Sequence, residues 1–397
     1  MPILFLILLL TTVEQSAIDM YLPSFPAMSD FFHVGDEKIQ LSLSLYMAGF
    51  AVSPLLAGPL VDRFGRKPIL CGGLLAFFLS TLLCAFATDI NVLLMGRILM
   101  GAACGLLVVA NQSMVRDSFE GTRLLKVTSY MSMIWSMVPI VAPAIGGYVQ
   151  TYWKWQGNFY LIALYILFSF FCVVFGAKET MKQPPKAIHL KPILLKYVLL
   201  LKNREFMINV ACTAIAFALT TAFITAAPFL FQDVLGYSPL EFGWLALGVA
   251  VSYLMGTYIN NVLIHRYSPQ VLICAGLVMI CLFSGVGLML GLANVINVYA
   301  IAIPVAVVIF AGGFIYPNAA ALAFEPIKKN IGIASAMYIS LQLIACALSS
   351  AIVAKLPENN QVPLMSFLLI LSVLLSVFYV CFGSQSQARK NHNGKQG

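Results

Sequence analysis

Gly58-Pro59-Leu60-Val61-Asp62-Arg63-Phe64-Gly65-Arg66-Lys67-Pro68 separates two long apolar runs, about 39–61 before it and about 69–88 after it. Each run has the length of some 20 residues that an α-helix needs to cross a hydrocarbon layer about 30 Å thick. The connector is short and carries Arg63, Arg66 and Lys67. Short loops rich in Lys and Arg mark the cytoplasmic face of a membrane protein. The stretch therefore reads as a helical hairpin inside a bilayer, with its turn on the inner side.

Working outward, apolar runs recur along the chain at about 2–27, 92–115, 127–149, 157–177, 206–230, 240–262, 270–292, 296–320, 331–354 and 364–382. With the first two these make twelve spans, numbered here in chain order. The N-terminal run lacks a positive leading segment and an Ala-x-Ala site, so it reads as span 1 rather than a signal peptide. Continuous runs such as Leu70 to Ala87 lack the alternating polarity of barrel strands, which leaves helices. The fold class expected is an all-α polytopic membrane protein.

Composition agrees. The 397 residues are 61% hydrophobic and 10% charged, against about 25% charged in soluble domains. That excludes a soluble enzyme, a disordered chain and a nucleic-acid binder. The net charge of +8 has a positional explanation. With the N-terminus inside, 19 of the 23 Lys and Arg fall in inner segments, and only Lys38, Lys154 and Lys355 fall outside. Both termini are expected in the cytoplasm, with the basic surplus facing an anionic leaflet. Nucleic acid need not be invoked.

The expected organisation is a six-helix bundle over 1–177, a basic cytoplasmic linker over 178–205, a second six-helix bundle over 206–382 and a polar, disordered tail over 383–397. Span 1 ends in Tyr21-Leu22-Pro23-Ser24-Phe25-Pro26, and span 7 ends comparably in Ala227-Pro228-Phe229. Two related bundles about a central cavity are the architecture of secondary transporters.

Ionisable groups inside a membrane are costly, so those that persist are functional candidates. Glu14 lies about 18 Å into span 1, near the midplane. Asp19 lies nearer the outer side and about 140° around the helix, off the face of Glu14. Low dielectric disfavours the charged form of a carboxyl and a bound cation favours it, which gives proton/cation exchange a physical basis. A packing role is the alternative for each. Arg97, early in span 4, either pairs with a span 1 carboxylate or snorkels to the outer interface. Asn111 and Gln112 are polar cavity candidates, and Met133, Trp135, Phe217, Phe223 and Trp244 supply bulky surface for a pocket, the core or lipid contact.

In the loop from Gly58 to Pro68, Gly58 is expected to permit close helix approach and Gly65 a tight turn. Asp62, Arg63 and Arg66 could make and break contacts as a conformational latch. Span 5 contains Pro139, Pro143, Gly146 and Gly147, a pattern for a bend and a close helix contact. His33, His189, His265 and His392 lie in loops or the tail without metal-ligand spacing. A Walker-type nucleotide loop is absent from the sequence. No enzyme activity, metal or cofactor is expected.

These stretches resemble the major facilitator superfamily. Gly58 to Pro68 is similar to its loop 2–3 signature, and Arg97 with Gly101 and Gly105 to its helix 4 motif. Pro139-x-x-x-Pro143-x-x-Gly146-Gly147 resembles the helix 5 motif of drug/proton antiporters. Ile18-Asp19-Met20-Tyr21-Leu22-Pro23, Gly236-Tyr237-Ser238-Pro239 and Gly313 to Ala319 resemble the Bcr/CflA drug-resistance subfamily of bacterial inner membranes. The resemblance implies a monomer of two pseudo-symmetric bundles that exports small amphipathic or cationic compounds in exchange for protons by alternating access. Its partners would be a small-molecule substrate, protons and membrane lipid. By position, Asp62, Arg63 and Arg66 would form the latch, Arg97 would couple, and Pro143, Gly146 and Gly147 would mark the exporter. Glu14 departs from the commoner pattern, which leaves the proton site open between Glu14 and Asp19. The second-half copy of the loop, near Gly256 to Tyr267, has Asn260 and Asn261 where the acidic residue would stand, so the latch is expected to be asymmetric. A dedicated exporter of one metabolite, such as a siderophore, and a proton-coupled nutrient importer are the alternatives.

Overall fold

The computed structural model describes residues 3–181, 190–327, 331–357 and 359–393. Lys182, Lys186, Lys328, Lys329 and Lys395, basic residues expected on the inner side, lie outside the described residues, as do Pro2 and His189. Thirteen α-helices are seen among them: α1 Ile3–Asp19, α2 Phe25–Phe32, α3 Asp36–Phe64, α4 Arg66–Ala85, α5 Ile90–Ser118, α6 Gly121–Gly176, α7 Leu190–Lys202, α8 Arg204–Phe229, α9 Pro239–Leu263, α10 Pro269–Leu292, α11 Val298–Phe324, α12 Ile331–Val353 and α13 Val362–Asn393.

Eleven helical stretches are long and apolar enough to cross a membrane, one of them the 56-residue α6. A straight helix of that length would run about 84 Å, more than twice the hydrocarbon thickness. It is broken at Trp153 and Lys154, where the backbone leaves helical geometry and Lys154 takes a positive φ of 61°. α6 thus contains spans 5 and 6, giving twelve. The break lies at these two residues rather than at Pro139 or Pro143, where the backbone stays helical.

α1 and α3–α6 pack together around one core, and α8–α13 around another. Apolar burial drives little association in lipid, so close backbone approach matters. A side chain at Gly101 would collide with the carbonyl of Tyr46 on α3, and one at Gly256 with the carbonyl of Phe310 on α11. The halves meet through α3 with α12 and α6 with α9. The first core extends across that junction to Phe229, Leu343 and Cys346. The pseudo-symmetry at the ends of spans 1 and 7 is visible as two irregular turns. A tight 3-10 turn at Leu22–Ser24 follows α1, and a wide π turn at Leu230–Val234 follows α8.

Two polar segments differ from expectation. The linker contains α7, whose Leu-rich sequence favours a helix. The tail continues α13 as far as Asn393. Its Gln, Ala, Arg and Lys residues have good helix propensity, so loss of apolar character ends the span but not the helix.

Candidate functional site

Glu14, Asp19 and Arg97 are the charged residues with fully buried side chains among those described. Arg97 neither pairs with a carboxylate nor snorkels. Its guanidinium lies between two rings, 4.0 Å from the Tyr21 centroid and 4.4 Å from that of Tyr46. It donates through Nη1 to the Ala17 carbonyl at 3.2 Å. That carbonyl belongs to the last turn of α1, where peptide oxygens run out of helical partners and attract a cation. Tyr21 is positioned in turn by the Ser42 hydroxyl at 3.2 Å. Arg97 therefore fixes the end of α1 to α3 and α5.

Glu14 faces α5. Its Oε1 accepts from Asn111 Nδ2 at 3.4 Å, and the same amide group reaches Thr11 Oγ1 and the Ile7 carbonyl. The Trp135 indole of α6 lies beside the carboxyl without completing a hydrogen bond to it. Glu14 Oε2 and Asn111 Oδ1 are buried without a hydrogen-bond partner. An unpartnered buried polar atom is costly, so a site that keeps two gains something else from them. Asp19 accepts from Gln15 Nε2 at 3.5 Å. One turn or more below, Thr12 bonds the Tyr165 hydroxyl of span 6. The two carboxyl groups thus have separate partners.

The cavity candidates divide. Met133 is exposed on α6, beside exposed Thr128, Ser129 and Ser132. These hydroxyls donate to backbone carbonyls one turn earlier on α6 at 2.8–3.0 Å. Gln112 is half-buried. Phe217 is 40% exposed and its ring lies 6.1 Å from that of Tyr316, whereas Phe223 is buried against Phe231.

The latch loop is a charge cluster within the first half. Arg66 lies 2.7 Å from Asp117 at the end of α5 and 3.3 Å from Asp62. Glu179, just past α6, accepts from the backbone N–H groups of Arg66, Lys67, Thr180 and Met181 at 2.9–3.1 Å. Its carboxylate thereby caps the N-terminus of α4. Gly65 has φ of 92°, and a Cβ there would lie 2.6 Å from the Glu179 carboxylate. Arg63 instead covers the Phe64 ring at 5.2 Å. Gly58 makes no close helix approach, for a Cβ there would meet open space. In the second half Asn260 is buried and accepts from Asn318 at 2.6 Å. The charged contact of the first half has an amide pair as its counterpart.

At the opposite end of α3 the halves are joined by neutral groups. Ser44 donates to Ser350 at 2.8 Å and Gln40 to the Thr225 carbonyl at 3.1 Å, while Thr225 donates to Ser350 at 3.0 Å within the second half. Gln232 donates to the Pro23 carbonyl at 3.0 Å. Gly146 packs on the Met20 carbonyl, and Gly147 packs across the halves on that of Pro239. The Pro143 carbonyl lies against Gly243. The span 5 pattern thus serves a backbone-to-backbone junction with α1 and α9.

Sequence reasoning missed Asp117, Glu179 and the Ser44–Thr225–Ser350 clasp. Asp117 follows Arg116 at a span end and was available as an acidic mate for the loop arginines.

The family profile described as Major Facilitator Superfamily matches residues 5–350. The chain is 27% identical over 374 residues to the Bicyclomycin resistance protein homolog of Haemophilus influenzae, covering 93% of this chain and 94% of that protein. It is 26% identical over 397 residues to Multidrug resistance protein D of Escherichia coli, covering 99% and 98%. These names bear out the resemblance to the drug-resistance subfamily. Among solved structures, a D-xylose-proton symporter superposes with a TM-score of 0.76 at 15% identity, covering 96% of each chain, which shows the shared fold. A profile match over most of a twelve-span chain, together with that shared fold, establishes that the protein belongs to the Major Facilitator Superfamily.

Proposed function

We propose that the chain exports small amphipathic or cationic compounds across the bacterial inner membrane in exchange for protons, by alternating access. The observation that carries this reading is Glu14. Its carboxyl is buried where α1, α5 and α6 meet, and one oxygen has no partner. A buried carboxylate balances one positive charge, so a proton and a cationic substrate compete for it. Loading one expels the other, which is the chemical core of antiport. The names of the relatives support the same class of cargo.

Glu14 is the exchange site in this reading, and Asp19 braces the end of α1 through Gln15. Arg97 holds the α1 end so that the carboxyl keeps its place. The latch end, where basic residues crowd, is cytoplasmic, and the neutral clasp closes the outer end. The exposed hydroxyl face of α6 then lines a cavity open to the cytoplasm, the side from which an exporter loads.

Purified protein in liposomes with an imposed pH gradient tests this. Wild type is expected to move a lipophilic cation such as ethidium against a proton flux. Glu14→Gln abolishes pH-driven movement while retaining folding, and Asp19→Asn retains the coupling. Unchanged pH-driven transport in Glu14→Gln overturns the assignment.

A further inference from the structure

Tyr46 carries a hydroxyl that the transport reading does not use. The residue is fully buried on α3. Its ring covers one face of the Arg97 guanidinium at 4.4 Å. Its carbonyl lies where a side chain at Gly101 of α5 would collide, so the backbone there is held close against α5. Ring and main chain are thus committed, but the hydroxyl is buried with no hydrogen-bond partner. Such a group is rare in a native fold and calls for an explanation.

The hydroxyl lies beside the Cys104 thiol and within the field of the Glu14 carboxyl. Cys104 in turn donates to the Glu14 carbonyl at 3.6 Å, so α5 brings Tyr46 and Glu14 to one place. Glu14 Oε2 is an acceptor without a donor, and the Tyr46 hydroxyl is a donor without an acceptor. Asn111 Nδ2 is already shared among three acceptors. The Cys104 thiol is a weak donor and points at main chain. The Trp135 indole approaches the carboxyl from α6, wholly within the first half. Tyr46 alone of these stands on α3, the helix that meets α12 of the second half. Two residues earlier on α3, Ser44 donates to Ser350 across that junction. Residues two apart on a helix point about 160° apart. Tyr46 therefore faces Glu14 and Arg97 while Ser44 faces the other half.

The geometry points to Tyr46 as a positioning residue that reports the charge of Glu14 to α3. When the carboxyl holds neither proton nor cation, the Tyr46 hydroxyl donates to Oε2. When the carboxyl is filled, that acceptor weakens and the hydroxyl is released. The phenol keeps its own proton throughout, and only its acceptor changes. A hydrogen bond to an ionised acceptor is roughly twice as strong as one between neutral groups, so loading Glu14 makes and breaks it. The helix that feels the change is the one that carries the clasp. This inference rests on Glu14 as the exchange site.

The test is an infrared titration of the full chain in nanodiscs, with no compound added. The protonated-carboxyl band that disappears in Glu14→Gln belongs to Glu14. Tyr46→Phe keeps the ring over Arg97 and removes only the hydroxyl, and a wild-type unfolding midpoint shows that it is folded. In that variant the pH midpoint of the Glu14 band is expected to move up by about one unit or more, because the ionised carboxyl has lost a charge-assisted hydrogen bond. In the wild-type chain, with tyrosine isotopically labelled at the ring carbon that bears oxygen, one C–O band is expected to shift over the same pH range. A tyrosine that serves only as a ring against Arg97 moves neither signal. An unmoved midpoint in folded Tyr46→Phe overturns the proposal, as does a midpoint that moves in Trp135→Phe instead. Should Tyr46→Phe not fold, the labelled wild type decides, and a set of tyrosine bands that ignores the carboxyl titration overturns it. If no titrating band is lost in Glu14→Gln, the exchange reading falls together with this one.

Discussion

Arg97 caps the end of α1 by donating to the Ala17 carbonyl, a contact that joins two helices 80 residues apart in the chain. Two aromatic rings enclose the same guanidinium. Desolvated cation–π contacts contribute about 2 kcal/mol each, and a hydrogen bond to a charged group about 1.5–3 kcal/mol. Arg97→Ala is therefore expected to destabilise the protein by about 3 kcal/mol or more, read as a lower unfolding midpoint in detergent. Arg97→Lys keeps the charge but not the flat surface between the rings, and is expected to recover less than half of that loss.

Asp62 and Asp117 both meet Arg66, but in different surroundings. The Asp62 side chain is 73% exposed and that of Asp117 only 24%. Exposed pairs contribute about 0.2–1 kcal/mol, whereas removing the partner of a shielded charge costs about 1–3 kcal/mol. Asp117→Asn is expected to lower thermal stability clearly more than Asp62→Asn. Equal effects in a melting series would refute this ranking of the two carboxylates.

Burial alone would raise the Glu179 carboxyl, but hydrogen bonds from the amides of Met181, Arg66, Lys67 and Thr180 outweigh it. The group is held below the usual carboxylate value. A depressed folded value adds stability above the unfolded value of about 4.3, and that stability is lost as pH falls through the folded value. Hydrogen exchange at Arg66 and Lys67 should thus stay slow at neutral pH and quicken only in acid below about pH 4. In Glu179→Gln it should be fast already at pH 7, with the acid step gone.

Ser350 accepts from Ser44 across the junction of the halves and from Thr225 within the second half. The buried hydrogen bond from Ser44 that crosses the junction contributes about 0.5–1.5 kcal/mol. Ser350→Ala is expected to shift the conformational balance toward the clasp-open state by about two- to tenfold. Gly147→Ala works in the same direction, because its methyl would strike the Pro239 carbonyl only while the clasp is shut. Alkylation of native Cys346, buried at the junction of the halves, measures the shift. A rate unchanged in both variants counts against the clasp.

The membrane architecture was legible because apolar runs of span length have no other stable use, and scarcity of charge singled out Glu14, Asp19 and Arg97. Their partners were not legible. Tyr21 and Tyr46 look like any aromatics in an apolar run, and only packing brings them to Arg97. The clasp hydroxyls of Ser44, Thr225 and Ser350 lie in different spans, with no spacing that links them. Asp117 and Glu179 sit at span ends, where acidic residues are common on a solvated surface. Gly58 misled because its neighbours suggested a helix contact that the loop geometry does not make. α7 was hidden by its lysines, which made an amphipathic helix resemble a polar linker.

α3 carries Ser44 of the clasp and Asp62 of the latch loop on one uninterrupted helix, eighteen residues apart. That is about 27 Å along one helix, with Pro54 and Pro59 between them. A resting preference for the clasped arrangement therefore gives the molecule sidedness in what it senses. Compound offered at the latch end meets the majority population and reports its intrinsic affinity. The same compound offered from the other face meets only the minority that has unclasped, and its apparent affinity is weakened by that fraction. Inside-out and right-side-out vesicles would then give two different dissociation constants for one unchanged pocket, and their ratio measures the balance between the clasped and unclasped arrangements.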